Sequence, residues 1–250
     1  MTDIPGPGAG KLLDFMAPLS AQRADRLAGD LAARHPASVT DLGCGWGELL
    51  LRILAAGPGA RGTGIDTHGP DLARARRNAT DRELSDRVAF VEGPAAEYTE
   101  SADVLVNVGS YQAFGTVADG LRALRQRVNP GGAVLFAAEF WEVPPPPDRL
   151  ARMWPGITAD DCLDLPTMVD EAVAAGFRPL RVESASRSEW EEFESGLAAE
   201  REEWLLAHPD HAEADRVRAE LDTQRGIWLR GHRDVMGFAY LTLGVPARTR

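Results

Sequence analysis

The sequence predicts an α/β fold in which a seven-stranded, mostly parallel sheet carries helices on both faces and a helical cap is inserted before the last strand. Short aliphatic runs alternate with segments of helical spacing between residues 38 and 185, as in parallel strands joined by crossover helices. A helical stretch at residues 188–233 then precedes one more apolar run. With 250 residues, the chain is long enough for one well-cored domain with an elaborating subdomain.

The elements follow one another in a regular order. In the leader, residues 1–34, apolar side chains at helical spacing are interrupted by Pro18, which predicts two short helices with Ser20 capping the second. The core is assigned to residues 35–187 and 234–245. Its predicted strands are residues 38–42, 62–66, 88–91, 103–108, 133–138, 178–185 and 236–243. Its predicted helices are residues 48–56, 70–82, 116–127 and 166–175, and residues 129–132 are predicted as the turn before the fifth strand.

The insertion, residues 188–233, predicts two helices joined by a loop at residues 207–210. Ser188 and Glu191 have the spacing of a capping box. The acidic run at residues 189–203 is interpreted as a solvated helix face, and His232 as a cation at a helix end. Insertions of this kind usually carry function or oligomerisation, which leaves a homodimer open. Burial against the sheet is favoured over the lining of an apolar substrate pocket for Trp190, Trp204 and Trp228.

Composition restricts the partners and the compartment. The formal net charge of −11 opposes binding to nucleic acid, which depends on Lys and Arg neutralising phosphates. No apolar run is long enough for a bilayer and no signal peptide is evident, so we expect no membrane contact and a cytoplasmic location. The distant Cys44 and Cys162 predict reduced thiols. His208 and His211 lack the further ligands of a zinc site, so no metal is predicted.

A glycine-rich segment, DLGCGWGELLL, starts at Asp41 between the first predicted strand and its helix. Glycine at every second position suits a tight turn at positive φ and a close ligand approach to a helix N-terminus. Asp66 ends the next strand about twenty residues later, where a carboxylate holds ribose hydroxyls in doubly wound folds. Because Asp41 would repel a pyrophosphate and attract an ammonium group, the pattern points away from a dinucleotide.

The motifs DLGCGWGEL, GTGIDTHGPDLARARRNA, VAFVEGPAAEY, ADVLVNVGS and NPGGAVLFAAEFW occur in this order. Together they resemble the class I S-adenosylmethionine-dependent methyltransferases, over residues 35–185, and most of all bacterial enzymes acting on small molecules. The resemblance implies a Rossmann-like fold, S-adenosylmethionine as cofactor, and methyl transfer to a small organic acceptor. The cofactor-binding residues that it implies are Asp41, Gly43, Cys44, Gly45, Gly47, Asp66, Thr67, His68, Pro94, Ala95, Asn107, Val108 and Gly109.

In that family the glycine loop holds the methionine part of the cofactor, Asp66 would hold the ribose, and Thr67 and His68 would lie beside the adenine. Residues 107–109 would form the wall under the sulfonium. One departure concerns Pro94, which stands where the family usually has an Asp that bonds the adenine amino group. Nearby carbonyls, or Glu97, would have to replace that acceptor, or cofactor affinity would be reduced.

Candidate catalytic residues follow the fourth and fifth strands, at the edge where open α/β sheets bind ligands. Tyr111 and Gln112 could hydrogen-bond an acceptor, and Glu139 could orient or deprotonate it. Since methyl transfer from a sulfonium needs alignment more than acid–base chemistry, a dedicated base is needed only for a protonated acceptor.

A second function stays open, because a fold alone does not establish a reaction. The chain could bind the cofactor without methylating, as a cyclase or a regulatory module. A protein or RNA acceptor is disfavoured by the predicted lid and by the charge.

Overall fold

A computed structural model describes residues 4–6 and 10–247 of the chain. The strands are β1 (Ser38–Leu42), β2 (Arg61–Asp66), β3 (Val88–Glu92), β4 (Ala102–Val108), β5 (Val128–Trp141), β6 (Arg178–Ser184) and β7 (Met236–Gly244). The α-helices are α1 (Ala21–Ala32), α2 (Glu48–Ala56), α3 (Gly69–Asp81), α4 (Val117–Arg127), α5 (Pro147–Leu150), α6 (Leu165–Ala174), α7 (Arg187–Ala207) and α8 (Ala214–Gly226). Single 3₁₀ turns occur at Ser85–Arg87, Ala95–Glu97, Tyr111–Phe114 and Ala159–Asp161, and a π-helix at Ile227–His232.

The seven strands form one sheet in the order β3-β2-β1-β4-β5-β7-β6. Strands β1 to β5 pair in parallel, and β7 runs antiparallel to β6, which confirms the predicted seven-stranded, mostly parallel sheet with its helices. The aliphatic strands β1 and β4 are almost entirely buried, whereas the edge strands β3 and β6 are mostly exposed or half-buried. The strand order reverses between β1 and β4, and ligands bind at such a switch point in open α/β sheets.

The chain divides into two compact units. The sheet unit comprises Ser20–Glu139, Leu165–Ser184 and the described residues from Phe238 onward. The insertion unit comprises the described residues up to Leu19, Phe140–Asp164 and Ala185–Gly237. The predicted leader is therefore split between the units, and the proline-rich segment after β5 groups with the insertion. No helix among the described residues combines the length and the apolar character that crossing a membrane requires.

The prediction of the first leader helix is wrong, because residues 10–19 form turns and bends. Residues 1–3 and 7–9 of the leader lie outside the described part of the chain. Leu13 and Phe15 are buried there, so their apolar spacing reflects packing and not helix formation. Leu13 lies so close to α7 that a Cβ at Gly196 would stand 2.3 Å from its Cδ2. The second leader helix is confirmed as α1, with the hydroxyl of Ser20 accepting a hydrogen bond from Arg23 N.

The turn predicted before the fifth strand lies inside β5. Residues 129–132 continue the strand, with a register shift between the pairs Ala102–Val128 and Val104–Ala133. Gly131 has a φ of +80°, and a Cβ at Gly132 would lie 2.4 Å from the carbonyl of Asp103. The two glycines therefore produce a bulge that a side chain would obstruct.

The capping box of α7 is formed by Ser186 and Glu189 instead of the predicted Ser188 and Glu191. Ser186 Oγ accepts a hydrogen bond from Glu189 N at 3.2 Å, and the Glu189 carboxylate accepts one from Ser186 N at 2.7 Å. The N-cap therefore lies two residues earlier than predicted, and the helix begins at Arg187.

One further interpretation of the insertion is wrong, and a second is confirmed in the position of the residue. The acidic run is not wholly solvated, because Glu189 and Glu194 are buried. His232 does end a helix, but it is 2% exposed and its Nε2 lies 3.0 Å from the Glu194 carboxylate. The sequence shows the charges, but it does not show which of them face each other in the folded unit.

Candidate active site

The glycine loop connects β1 to α2, and each of its three alternate glycines has a left-handed backbone. The φ angles are +87° at Gly43, +51° at Gly45 and +72° at Gly47. A Cβ at Gly43 would lie 2.4 Å from Ser110 Cβ, and one at Gly47 would lie 2.7 Å from the ring of Phe90. A Cβ at Gly45 would meet no atom of the described residues within 4 Å. Packing within the protein therefore excludes side chains at the first and third glycines, whereas the second borders open space.

The side chain of Asp41 lies at the carboxyl end of β1 and is 4% exposed. Burial raises its pKa to about 8, and the negative charge of Asp66 adds to the rise. An acid in this position favours a nearby cation, because a positive charge would relieve both effects. The local field at the start of the glycine loop is thus suited to a cationic ligand and unfavourable for a phosphate.

The carboxylate of Asp66 connects the glycine loop to the start of α3. One oxygen, Oδ2, accepts a hydrogen bond from Gly45 N at 2.7 Å, and Oδ1 accepts one from His68 N at 2.9 Å. A carboxylate has about four lone-pair positions, so two backbone donors leave capacity for a ligand hydroxyl. The predicted ribose-binding residue therefore stands beside the predicted methionine-binding loop.

The remaining residues predicted to surround the cofactor differ in exposure. Thr67 and His68 are exposed, and His68 Nδ1 lies 2.9 Å from the carboxylate of Asp71. Pro94 is exposed and precedes a 3₁₀ turn in which Ala95 is buried. The half-buried thiol of Cys44 is free, and burial raises its pKa.

Asn107, in the segment predicted as a wall under the sulfonium, is fully buried and joins β4 to β1. Its Nδ2 donates to the carbonyl of Leu42 at 2.8 Å and to Ser110 Oγ at 2.7 Å. Its Oδ1 is buried without a hydrogen-bond partner among the described residues. Val108 and Gly109 complete the segment, with a φ of +67° at Gly109. These bonds fix the carboxyl ends of the two strands that border the switch point.

Ser110 is the one residue of this site that the sequence did not single out for its actual role. Its hydroxyl donates to the carbonyl of Leu42 at 2.6 Å, and its Cβ occupies the space that a side chain at Gly43 would need. The sequence signal for this contact was a small hydroxyl residue directly after a strand.

The three candidate catalytic residues come together at the ends of β4 and β5. Tyr111 Oη donates to Glu139 Oε1 at 2.7 Å, and Gln112 Nε2 donates to the same oxygen at 3.1 Å. Tyr111 is 6% exposed and Glu139 is half-buried, whereas Gln112 is exposed. Two donors on one oxygen fix the orientation of the carboxylate and leave Oε2 outside these bonds.

A sheet with this strand order defines a doubly wound α/β protein. Its glycine loop, flanked by two acids, lies at the switch point, where sheets of this kind bind ligands. The sequence model of a family described as "Methyltransferase domain" matches residues 40–134. The chain is 29% identical over 228 residues to protein YjhP of Escherichia coli (strain K12), across 90% of this chain and 92% of that protein.

Two solved structures are also similar to the chain, and both are described as S-adenosylmethionine-dependent methyltransferases in complex with S-adenosyl-L-homocysteine. The structure from Geobacter sulfurreducens has a TM-score of 0.84 and 28% identity, over 97% of this chain and 99% of that chain. The structure from Thiobacillus denitrificans has a TM-score of 0.82 and 29% identity, over 94% of each chain. Residues 40–134 thus match a methyltransferase domain, and nearly the whole chain is similar in fold to S-adenosylmethionine-dependent methyltransferases.

Proposed function

We propose that this protein binds S-adenosylmethionine at the glycine loop and transfers its methyl group to a small organic acceptor. The observation that carries the proposal is the pair of acids around Gly45. Asp41 is buried with a pKa raised to about 8, Asp66 bonds the loop, and the space beside Gly45 would accept a ligand atom. A ligand with a cationic amino-acid end and a ribose matches this order of groups.

The residues present fit this cofactor. Asp41 would accept its ammonium group, Asp66 would accept the ribose hydroxyls, and Gly45 would allow the ligand to approach the backbone. When bound, S-adenosylmethionine supplies an electrophilic methyl group on a sulfonium centre. The exposed Pro94 has no acceptor side chain, so the adenine would depend on backbone groups near the Ala95–Glu97 turn.

The acceptor would be held by the cluster of Tyr111, Gln112 and Glu139. Because Tyr111 and Gln112 both donate to Oε1 of Glu139, the carboxylate is held in one orientation and can present Oε2 to an amine or hydroxyl group. Alignment of this kind is the main contribution that a protein makes to an in-line displacement. The net charge of −11 supports a small acceptor over RNA.

Binding is tested by calorimetry with S-adenosylmethionine and S-adenosyl-L-homocysteine. The wild type is expected to bind both, and Asp66→Ala to weaken binding at least about tenfold, because hydrogen bonds to a charged group contribute about 1.5–3 kcal/mol. Asp81→Ala is the control, since Asp81 is an exposed acid at the C-terminal end of α3, outside the predicted cofactor residues. Wild-type protein that binds neither ligand, or equal losses in the two variants, would contradict the proposed cofactor site.

Methyl transfer is tested by incubating the protein and S-adenosylmethionine with a panel of small amines, phenols and carboxylic acids. Mass spectrometry should detect an acceptor that gains one methyl group. For that acceptor, Glu139→Gln is expected to lower kcat roughly 10- to 100-fold with little change in cofactor affinity, because the amide keeps the shape but not the charge. Cofactor binding without transfer to any acceptor would favour the non-methylating alternative.

A further inference from the structure

A cavity of about 80 Å³, open to solvent, lies within the insertion unit. Trp190, Trp228 and Met236 form apolar parts of its wall, and His232 also lines it. Its volume is smaller than that of a typical small-molecule site, so a ligand would place one ring in it and extend toward solvent; its aromatic walls and few placed polar groups are those of such a site. None of the residues that line it belongs to the glycine loop or to the cluster around Glu139.

His232 is held in one position in this cavity. Its Nε2 lies 3.0 Å from Glu194 Oε1, and both side chains are buried. The ring of Trp154 stacks on the imidazole with the centroids 5.1 Å apart, and Trp190 lies at 5.5 Å. In a neutral imidazole whose Nε2–H donates to a carboxylate, Nδ1 is the hydrogen-bond acceptor.

The backbone around His232 is also unusual. Trp228 and His232 are four residues apart in the π-helix, a rare element that frequently occurs at functional sites. A Cβ at Gly231 would lie 2.9 Å from Met153 Cγ, and the guanidinium of Arg149 donates to the carbonyl of Gly231 at 2.8 Å and to that of Arg233. The π-helix is therefore held by packing and by a cation at its carboxyl end.

The charged residues of the cavity are largely paired with each other. Arg187 lies 2.5 Å from Asp234, and Arg233 lies 2.8 Å from Glu191. The remaining lining charge is the acid Glu142. A lining with more acids than bases, whose bases are already paired, opposes an anionic ligand and favours a neutral one.

We propose that this cavity binds a neutral, planar aromatic molecule that carries a hydroxyl group. The aromatic ring packs against Trp190 and Trp228, and the hydroxyl donates a hydrogen bond to Nδ1 of His232. Glu194 is a positioning residue, because it holds the imidazole in the tautomer that accepts this bond. The site needs no cofactor, so it stands or falls independently of methyl transfer.

The test uses the full chain and three probes of nearly equal size: 2-naphthol, 2-methoxynaphthalene and 2-naphthoate. Calorimetry is expected to show that 2-naphthol binds at least about tenfold more tightly than its methyl ether, since the ether lacks the donor that a buried acceptor requires. The carboxylate is expected to bind more weakly than 2-naphthol. Equal binding of naphthol and ether, tighter binding of the carboxylate, or no binding of naphthol would overturn the proposal.

Three variants assign the roles of the residues. Trp228→Leu is expected to weaken 2-naphthol and its ether alike. Glu194→Gln is expected to reduce the preference for naphthol over the ether without changing the affinity for the ether, because a neutral amide does not fix the imidazole tautomer. His208→Gln is the matched control, because His208 also stacks on a tryptophan, Trp204, with the centroids 5.1 Å apart, but does not line the cavity.

A merely structural role for Glu194 would change stability or the affinity for both probes, but not the ratio between them. An unchanged ratio in Glu194→Gln, or an equal change in His208→Gln, would contradict the assignment of Glu194. The comparison of probes on the wild type decides the proposal even if a variant does not fold.

Discussion

Asp41→Asn is expected to stabilise the ligand-free protein against unfolding near neutral pH and at the same time to weaken cofactor binding. The folded protein raises the pKa of Asp41 to about 8, so the unfolded chain loses this proton at much lower pH than the native state does. Between the two pKa values the native state binds more protons, and the unfolding free energy therefore falls as pH rises. The asparagine side chain does not ionise, so the unfolding free energy of Asp41→Asn does not fall with pH for this reason.

The expected difference in unfolding free energy between Asp41→Asn and the wild type is large and depends on pH. It grows by about 1.4 kcal/mol for each pH unit between the unfolded and the folded pKa, which gives up to about 4 kcal/mol between about pH 5 and pH 8. Urea unfolding of the wild type and Asp41→Asn over this range measures it. Asp71→Asn, which replaces a nearby acid at the start of α3, is the control. A constant difference between wild type and Asp41→Asn across the range would show that Asp41 is not a buried acid with a raised pKa.

The same substitution is expected to reduce affinity for S-adenosylmethionine by roughly 10- to 100-fold, since a hydrogen bond to a charged group contributes about 1.5–3 kcal/mol. A more stable protein that binds its ligand less well is the usual result when a strained functional group is removed. Unchanged affinity would mean that the cationic end of the ligand does not meet Asp41.

Gly43→Ala and Gly45→Ala are expected to impair different properties, stability and cofactor binding, although the two glycines are two residues apart and both have positive φ. At Gly43 the new Cβ would overlap Ser110, so the variant should lose several kcal/mol of stability from overpacking and backbone strain. At Gly45 the Cβ would meet no described atom, so only the backbone strain of about 1–2 kcal/mol remains. Gly45→Ala should therefore stay folded but lose cofactor affinity at least about tenfold.

Urea unfolding and calorimetry separate the two roles. Combining Gly43→Ala with Ser110→Gly should restore part of the lost stability, because the overlapping atoms are then removed. If Gly45→Ala binds the cofactor as tightly as the wild type, the open space beside Gly45 is not the ligand position. If Gly43→Ala is as stable as Gly45→Ala, the contact with Ser110 does not restrict the loop.

Sequence reasoning reproduced most of the sheet, because each buried strand is a short aliphatic run and each crossover helix has its own apolar face. It failed where local pattern and tertiary packing disagree. Leu13 and Phe15 have helical spacing but are buried in a segment of turns. The bulge at Gly131 and Gly132 has the sequence of a turn, but strand pairing continues on both sides of it.

The candidate site was predictable in part for the same reason. The acids Asp41 and Asp66 lie at the carboxyl ends of neighbouring strands. Because the carboxyl ends of parallel strands meet at one edge of the sheet, the order of the elements predicts that the two acids lie close together. Likewise Tyr111 follows β4 and Glu139 lies near the end of the adjacent β5, and their hydrogen bond agrees with that order. The buried pair of His232 and Glu194 was not predictable, because the two residues are 38 positions apart and the sequence does not show the path of the chain between them. Only the folded unit shows that an apparently solvated acid faces the histidine.

We infer that the cationic end of S-adenosylmethionine binds beside Asp41. Calorimetry of the wild type at about pH 7, in buffers with different heats of ionisation, measures it most directly through the protons that accompany binding. Asp41 holds its proton in the free protein at this pH and gives it up beside a cation, so we predict release of close to one proton for each ligand bound, and no release in Asp41→Asn. Binding with no proton release, or the same release in wild type and Asp41→Asn, would contradict the account.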